Sequence, residues 1–265
     1  NGQVLHAEWE RGRPSEVILS SQGRKPPNSA GVDPDNPVKV WAVIIGAAQY
    51  RHMASLRFTD DDAYHLFAFL KSPYGGAVPD EQISLLVDED ATRVRILEAM
   101  ENIFGQADDN DVLFFYFSGH GEQGAFLPTD YDGFNNQLLH AEVRDLIESS
   151  PARHKFVVAD ACHSGSIFLR RTPAHQILEK YYRAFENSDG GMALLMSSKG
   201  EEFSLEDNGL GAGVFSHYLI KAMRGAADRD YNGVVTIQEA YRYVRRNVQT
   251  YTGYVQTPLL LGAFD

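Results

Sequence analysis

Apolar runs that are too short to cross a membrane, yet unbroken enough to be buried on both faces, recur along this chain. Residues 112–117 (Val112, Leu113, Phe114, Phe115, Tyr116, Phe117) are the clearest case, and 38–45, 83–87, 156–159, 192–197 and 259–262 read the same way. Between them lie helical patterns: 60–71, with Ala63, Leu66, Phe67 and Leu70 on one face, then 92–104, 141–148, 215–224 and 237–248. Strands apolar throughout and separated by helices form a mainly parallel sheet, because the crossover helices must cover both faces. The expectation is an α/β/α sandwich around a central sheet of about six strands, with a site in the loops beyond the strand C-termini.

Residues 1–37 do not share this pattern. Pro14, Pro26, Pro27, Pro34 and Pro37 mark turns and extended chain. This stretch reads as an arm, with a strand hidden near 16–20, leading into one domain over 38–265. The charge balance, 24 Lys+Arg against 36 Asp+Glu for a net −12, argues against a nucleic-acid partner, whose phosphates are held by clustered Lys and Arg. No apolar run approaches the roughly 18–20 residues of a membrane span, so no membrane partner is expected. No basic start followed by an apolar stretch is visible, which points to a cytoplasmic location, although a chain opening on Asn1 leaves room for a removed targeting segment. The single cysteine, Cys162, excludes an internal disulfide and a multi-thiolate zinc site. It is either a buried inert thiol or a reactive one.

Its surroundings favour reactivity. The run 112–117 leads directly into Ser118, Gly119, His120 and Gly121, and the run 156–159 into Asp160, Ala161, Cys162, His163, Ser164 and Gly165. Parallel strands end at the same edge, so His120 and Cys162 can meet there, and the glycines permit tight turns and close approach by a ligand. Such a pair suits acyl transfer. A thiolate attacks a carbonyl while an imidazole activates it or protonates the departing amine, and backbone amides stabilise the oxyanion. The competing reading makes Cys162 a small buried hydrophobe and His120 a hydrogen-bonded turn residue.

These two motifs resemble those of the caspase-like cysteine proteases, and among them the metacaspases and their bacterial relatives, the orthocaspases. The resemblance runs over about 38–264. It takes in 56–63 as the loop ending in Asp-Ala, Leu127-Pro128-Thr129-Asp130 after the histidine, and Gln256-Thr257-Pro258 before the last strand. The chain departs from the Gln-Ala-Cys caspase signature by carrying Asp160 in place of Gln. The resemblance implies a caspase-like fold, Cys162 as nucleophile, His120 as its partner, and the backbone amides of Gly121 and Cys162 as oxyanion donors. It assigns no third residue to orient His120.

Asp160 stands two positions before Cys162, as Ser118 does before His120, so strand geometry turns each pair to one face. A carboxylate at the end of an apolar strand is costly to desolvate without a cation. A substrate Arg or Lys would supply one, Arg as a bidentate partner; alternatively Asp160 caps the following turn. By resemblance, Asp160, Ser118 and Asp62 form a pocket for basic residues, and Leu56 stands where caspases carry the Arg that binds substrate Asp. The expected substrate is therefore a protein or peptide cut after Arg or Lys. An activating partner or extra domain is compatible with this reading.

Residues 228–239 fit the EF-hand calcium loop, with ligands from Asp228, Asp230, Asn232, the Val234 carbonyl, Thr236 and Glu239. Part of the pattern also fits a surface turn in which Thr236 caps the next helix and Glu239 completes a capping box. The chemistry itself needs no cofactor; calcium is the candidate ion. Metacaspases that need calcium bind it through an acidic cluster after the nucleophile, whereas 167–171 here is basic. Finally, Arg170, Arg171, Lys180 and Arg183 in 166–191 are candidate self-cleavage sites for a basic-specific enzyme, unless 176–185 is simply a solvated helix. Two rival functions stay open: a calcium-responsive regulatory module on an inactive caspase-like fold, and a hydrolase or acyltransferase acting on non-peptide carbonyls.

Overall fold

In chain order, β1 (Ile18–Ser21) precedes β2 (Val40–Gly46), α1 (Thr59–Lys71), β3 (Ile83–Val87) and α2 (Arg93–Phe104). Then come β4 (Val112–Glu122), β5 (Ala125–Phe126), β6 (Leu138–Leu139), α3 (His140–Ser149) and β7 (His154–His163). The remainder comprises β8 (Met192–Met196), β9 (Glu206–Asp207), β10 (Ala212–Gly213), α4 (Val214–Lys221), β11 (Val234–Thr236), α5 (Ile237–Tyr251) and β12 (Leu259–Leu261). The computed structural model describes residues 37–122, 124–163, 191–198, 202 and 204–262, together with the backbone of 18–21; at 162 and 163 it likewise describes the backbone.

The central sheet has the order β12-β8-β7-β4-β2-β3, with the short β5 and β6 attached beyond β4. Its pairings are parallel except for β12 on β8 and the turn-back of β5 on β4 and β6. Alternation along β4 divides two cores. Phe114 and Tyr116 pack with Leu66 and Phe69 of α1, Phe215 of α4 and Val244 of α5. Leu113, Phe115 and Phe117 pack on the other side with Ile96 and Met100 of α2 and Val143 of α3. All seven residues of β2 are buried, as a strand covered on both faces requires. This is the expected α/β/α sandwich.

Several details depart from the sequence reading. Strands β4 and β7 do not end at Phe117 and Ala159; they continue through the two motifs. On α1 it is Phe69 that is fully buried, with Phe67 packed at the margin of the core. Helix α4 stops at Lys221 and widens into a turn over Ala222–Ala226. Within the arm, β1 pairs antiparallel with β11. Two acidic stretches with the composition of solvated turns, 88–90 and 108–111, each supply a tie. Asp111 is fully buried and accepts hydrogen bonds from Lys39 N at 2.9 Å and Trp41 Nε1 at 2.7 Å. Asp88 accepts from the amides of Ala48 and Gln49, at 3.0 and 2.8 Å, and so fixes the loop that follows β2.

Candidate active site

The extension of β4 and β7 decides the geometry of the motifs. Ser118 pairs with Asp160, Gly119 with Ala161, His120 with Cys162 and Gly121 with His163, in unbroken parallel register. Adjacent strands lie about 4.8 Å apart, so the backbones of His120 and Cys162 are direct neighbours at the sheet edge.

The His120 ring is held by the loop after β2. Its Nε2 lies 2.7 Å from the carbonyl oxygen of Ala54. A carbonyl only accepts, so Nε2 carries the proton and Nδ1 of the neutral ring is left as acceptor. Burial lowers the pKa of this imidazole, opposed by the Ala54 bond and by the charge of Glu206. Burial thus favours the neutral ring. The Tyr50 ring packs against it with centroids 4.7 Å apart.

Beside His120 opens a cleft of about 240 Å³, with Leu56, Leu205 and Glu206 among its walls and Ser118, Asp62, Asp160 and Ser204 deeper in its lining. Asp160 is 4% exposed. Its carboxylate accepts from Ser204 and, at 2.7 Å, from Ser216, whose hydroxyl in turn lies 2.7 Å from Tyr116 Oη. With its proton given to Asp160, Ser216 accepts from Tyr116. Asp62 is 1% exposed; its Oδ2 accepts from Gly213 N at 3.0 Å, while its Oδ1 has no hydrogen-bond partner among the described residues. A Cβ on Gly213 would sit 2.6 Å from Asp62 Oδ2 and 3.4 Å from Asp160 Oδ2, so glycine is what lets the two carboxylates share this wall. Burial, and then the charge of Asp160, push Asp62 up to about 9; burial raises Asp160 too, against the hydroxyls that bond it. Of the acidic run at the start of α1, Asp61 is exposed, Asp60 is half-buried, and Asp62 alone lines the cleft.

Several contributors have no signal in the sequence. Ala54 acts through a backbone carbonyl, which any residue could offer. Glu206 takes the amides of Arg57 and Phe58, each at 2.9 Å, and so caps the start of α1 from across the cleft. Gln256 is fully buried; it donates to Ser197 O and Ser204 Oγ at 3.0 and 3.1 Å and accepts from Leu205 N at 3.1 Å. The segment carrying Ser204 is thereby set against Asp160. Only the position of Gln256 before a Thr-Pro pair hinted at a role.

At the calcium-loop sequence, carboxylate oxygens of Asp228, Asp230 and Glu239 lie within 4.8 Å of one another. Asn232 Oδ1 accepts from Val234 N, and Thr236 and Glu239 form the reciprocal capping box of α5. The turn thus has the features of both expected readings. Arg170, Arg171, Lys180 and Arg183 lie outside the described residues.

A parallel sheet whose adjacent strands end in a paired histidine and cysteine, beside a buried acidic cleft, is the architecture of a cysteine peptidase of the caspase type. The sequence profile of the caspase domain, a peptidase family, matches residues 39–263; the chain belongs to this family. It is 25% identical over 252 residues to a probable protease of a Desulfuromonadales bacterium, covering 78% of this chain and 29% of that protein. It is 27% identical over 220 residues to metacaspase-1 of Saccharomyces cerevisiae, covering 71% and 50%. The chain thus spans half or less of the length of these relatives. A crystal structure of a Geobacter sulfurreducens protein has the same fold, with a TM-score of 0.56 and 18% identity over 86% of this chain and 95% of the other.

Proposed function

We propose that the protein is a cysteine endopeptidase that cuts after Arg or Lys. Nδ1 of His120 takes the thiol proton of Cys162 as the sulfur adds to the carbonyl carbon of the scissile bond, and the amides of Gly121 and Cys162 receive the oxyanion. The C–N bond then breaks as His120 gives its proton to the departing amine, leaving a thioester. Water adds to that thioester while His120 takes its proton; the C–S bond breaks, His120 returns the proton to the leaving sulfur, and the acyl half leaves as a carboxylic acid that ionises in solvent. Oxyanion stabilisation of this kind is typically the largest single contribution to such rates.

The preference for a basic residue is carried by one observation: two buried carboxylates share a wall beside His120, and an oxygen of one is unpartnered. A buried carboxylate without a cation is unstable, and a guanidinium or ammonium entering the cleft would supply the missing charge and donors. Ser118 would add an acceptor, and the aliphatic stem would lie between Leu56 and Leu205. The test uses fluorogenic peptides ending in Arg, Lys, Asp or Ala, with Cys162→Ala as blank. The expected result is turnover of Arg and Lys peptides only, abolished by Asp160→Ala while the thiol still alkylates. Equal turnover of all four, or undiminished turnover by Asp160→Ala, would refute the specificity.

A separate observation, the gathering of Asp228, Asp230 and Glu239, supports calcium as a ligand of the 228–239 turn. Self-cleavage at Arg170, Arg171, Lys180 or Arg183 is proposed on the basic specificity alone.

A further inference from the structure

The loop after β2 touches His120 a second time, in a way the chemistry above does not use. Past the end of its parallel run, β4 turns back on β5, with Gly121 paired to Phe126 and Glu122 to Ala125. This sets His120 opposite Leu127. A hydrogen-bonded antiparallel pair exchanges two N–H···O bonds. One of them is present, from Leu127 N to His120 O at 3.0 Å. The other is interrupted: His120 N donates to Tyr50 Oη at 2.7 Å, and Tyr50 Oη donates to Leu127 O at 2.9 Å. A phenol has been inserted into the ladder at the position of the base.

Three further features show that the insertion is built. The hydroxyl must keep its proton to accept and donate at once, and burial pushes Tyr50 well above the usual phenol range. The glycine before the histidine leaves room for it, since a Cβ on Gly119 would lie 2.7 Å from Tyr50 Oη, 3.0 Å from the Phe117 ring and 3.1 Å from Ala47 Cβ. The Tyr50 ring then covers the imidazole, at 4.7 Å and tilted by 51°.

We propose that Tyr50 is a positioning residue for the peptidase reaction: its hydroxyl spaces the backbone of His120 from Leu127 while its ring backs the imidazole, fixing the approach of the base to Cys162. This rests on the assignment of Cys162 and His120 as the reacting pair. Without the hydroxyl, His120 N and Leu127 O face each other across a gap that a direct bond would close, drawing the histidine with it. A shift of about 1 Å in a reacting group can cost about 100-fold in rate.

The experiment compares wild type, Tyr50→Phe and His120→Ala. It measures Arg-peptide kinetics and, without substrate, the pH profile of Cys162 alkylation by iodoacetamide. The expected result for Tyr50→Phe is a kcat loss of about 10- to 100-fold with KM changed less than about threefold. Its alkylation profile should shift towards that of His120→Ala, a change that lowered stability alone does not produce. A kcat within about twofold of wild type, or an unmoved alkylation profile, overturns the proposal while leaving the reacting pair intact. Wild-type turnover by His120→Ala instead overturns the pair itself. Should Tyr50→Phe fail to fold, Gly119→Ala displaces the hydroxyl from the other side and must produce the same kcat loss; normal kinetics there count against the role.

Discussion

Replacing Asp62 with asparagine removes an ionisable group while leaving the shape of the side chain unchanged, and the structure gives two opposite consequences. Asp62 is almost fully buried, one of its oxygens is unpartnered, and Asp160 faces it across Gly213. Its folded pKa of about 9 lies above the ordinary 3.8. The folded chain therefore holds a proton that the unfolded chain gives up, and the free protein loses stability as pH climbs from about 4 towards 9. Asp62→Asn abolishes that loss. Each pH unit within that window is worth about 1.4 kcal/mol of the loss, and each kcal/mol is worth about 2–4 °C of Tm in a domain of this size. The same exchange leaves a bound substrate cation with one carboxylate fewer, a deletion that costs about 3–5 kcal/mol in a buried pair, or about 10²- to 10⁴-fold in kcat/KM. The assay is thermal unfolding from pH 4 to 9 in a Cys162→Ala background, with Arg-peptide kinetics on the active pair. The Tm gain should be smallest near pH 4, where the folded aspartic acid is as neutral as asparagine, and grow with pH. A Tm difference that is flat with pH, or Arg-peptide turnover at the wild-type rate, would refute the reasoning.

Other expectations follow from the same structure. Intact-mass spectrometry of wild type should show fragments ending at Arg170, Arg171, Lys180 or Arg183 that Cys162→Ala lacks; identical masses would dispose of self-processing. Calorimetric titration with calcium should give heat that Asp228→Ala abolishes, and no heat from either protein would remove the ion. Asp111→Ala strands the Trp41 Nε1–H and the Lys39 N–H, and should lower stability by about 2–4 kcal/mol in denaturant melts while sparing kcat. A melt within about 0.5 kcal/mol of wild type would show that these bonds are replaced by water.

The sheet was legible because its signal is periodic and local. Val40–Gly46 and Val112–Phe117 are apolar on both faces, and only a covered parallel sheet tolerates that. The strand ends were not legible. Ser118-Gly119-His120-Gly121 has the composition of a turn, yet it is strand, since pairing with Asp160–His163 overrides the local preference of Ser and Gly. The motif residues could be named from the chain because side-chain chemistry is written in the sequence; Asp62 was named by resemblance, since Asp60, Asp61 and Asp62 share one chemistry. What fixes those residues was hidden for the converse reason. Ala54 contributes a peptide oxygen, Tyr50 a hydroxyl at 70 residues' separation, and Glu206 an acceptor for amides 148 residues away. The burial of Asp111 has no local signal, because its partners, the Trp41 indole of β2 and the Lys39 amide just before it, lie about 70 residues away.

The place of β8 has a consequence for a severed molecule. It is stitched to β7 by five successive rungs, Lys155 with Met192 through Ala159 with Met196, and β12 closes on its other side. A backbone cut anywhere between His163 and Gly191 would therefore yield two fragments sharing one sheet and both cores. Scission need not mean dismantling: the heavy and light pieces would travel together until denaturant parted them.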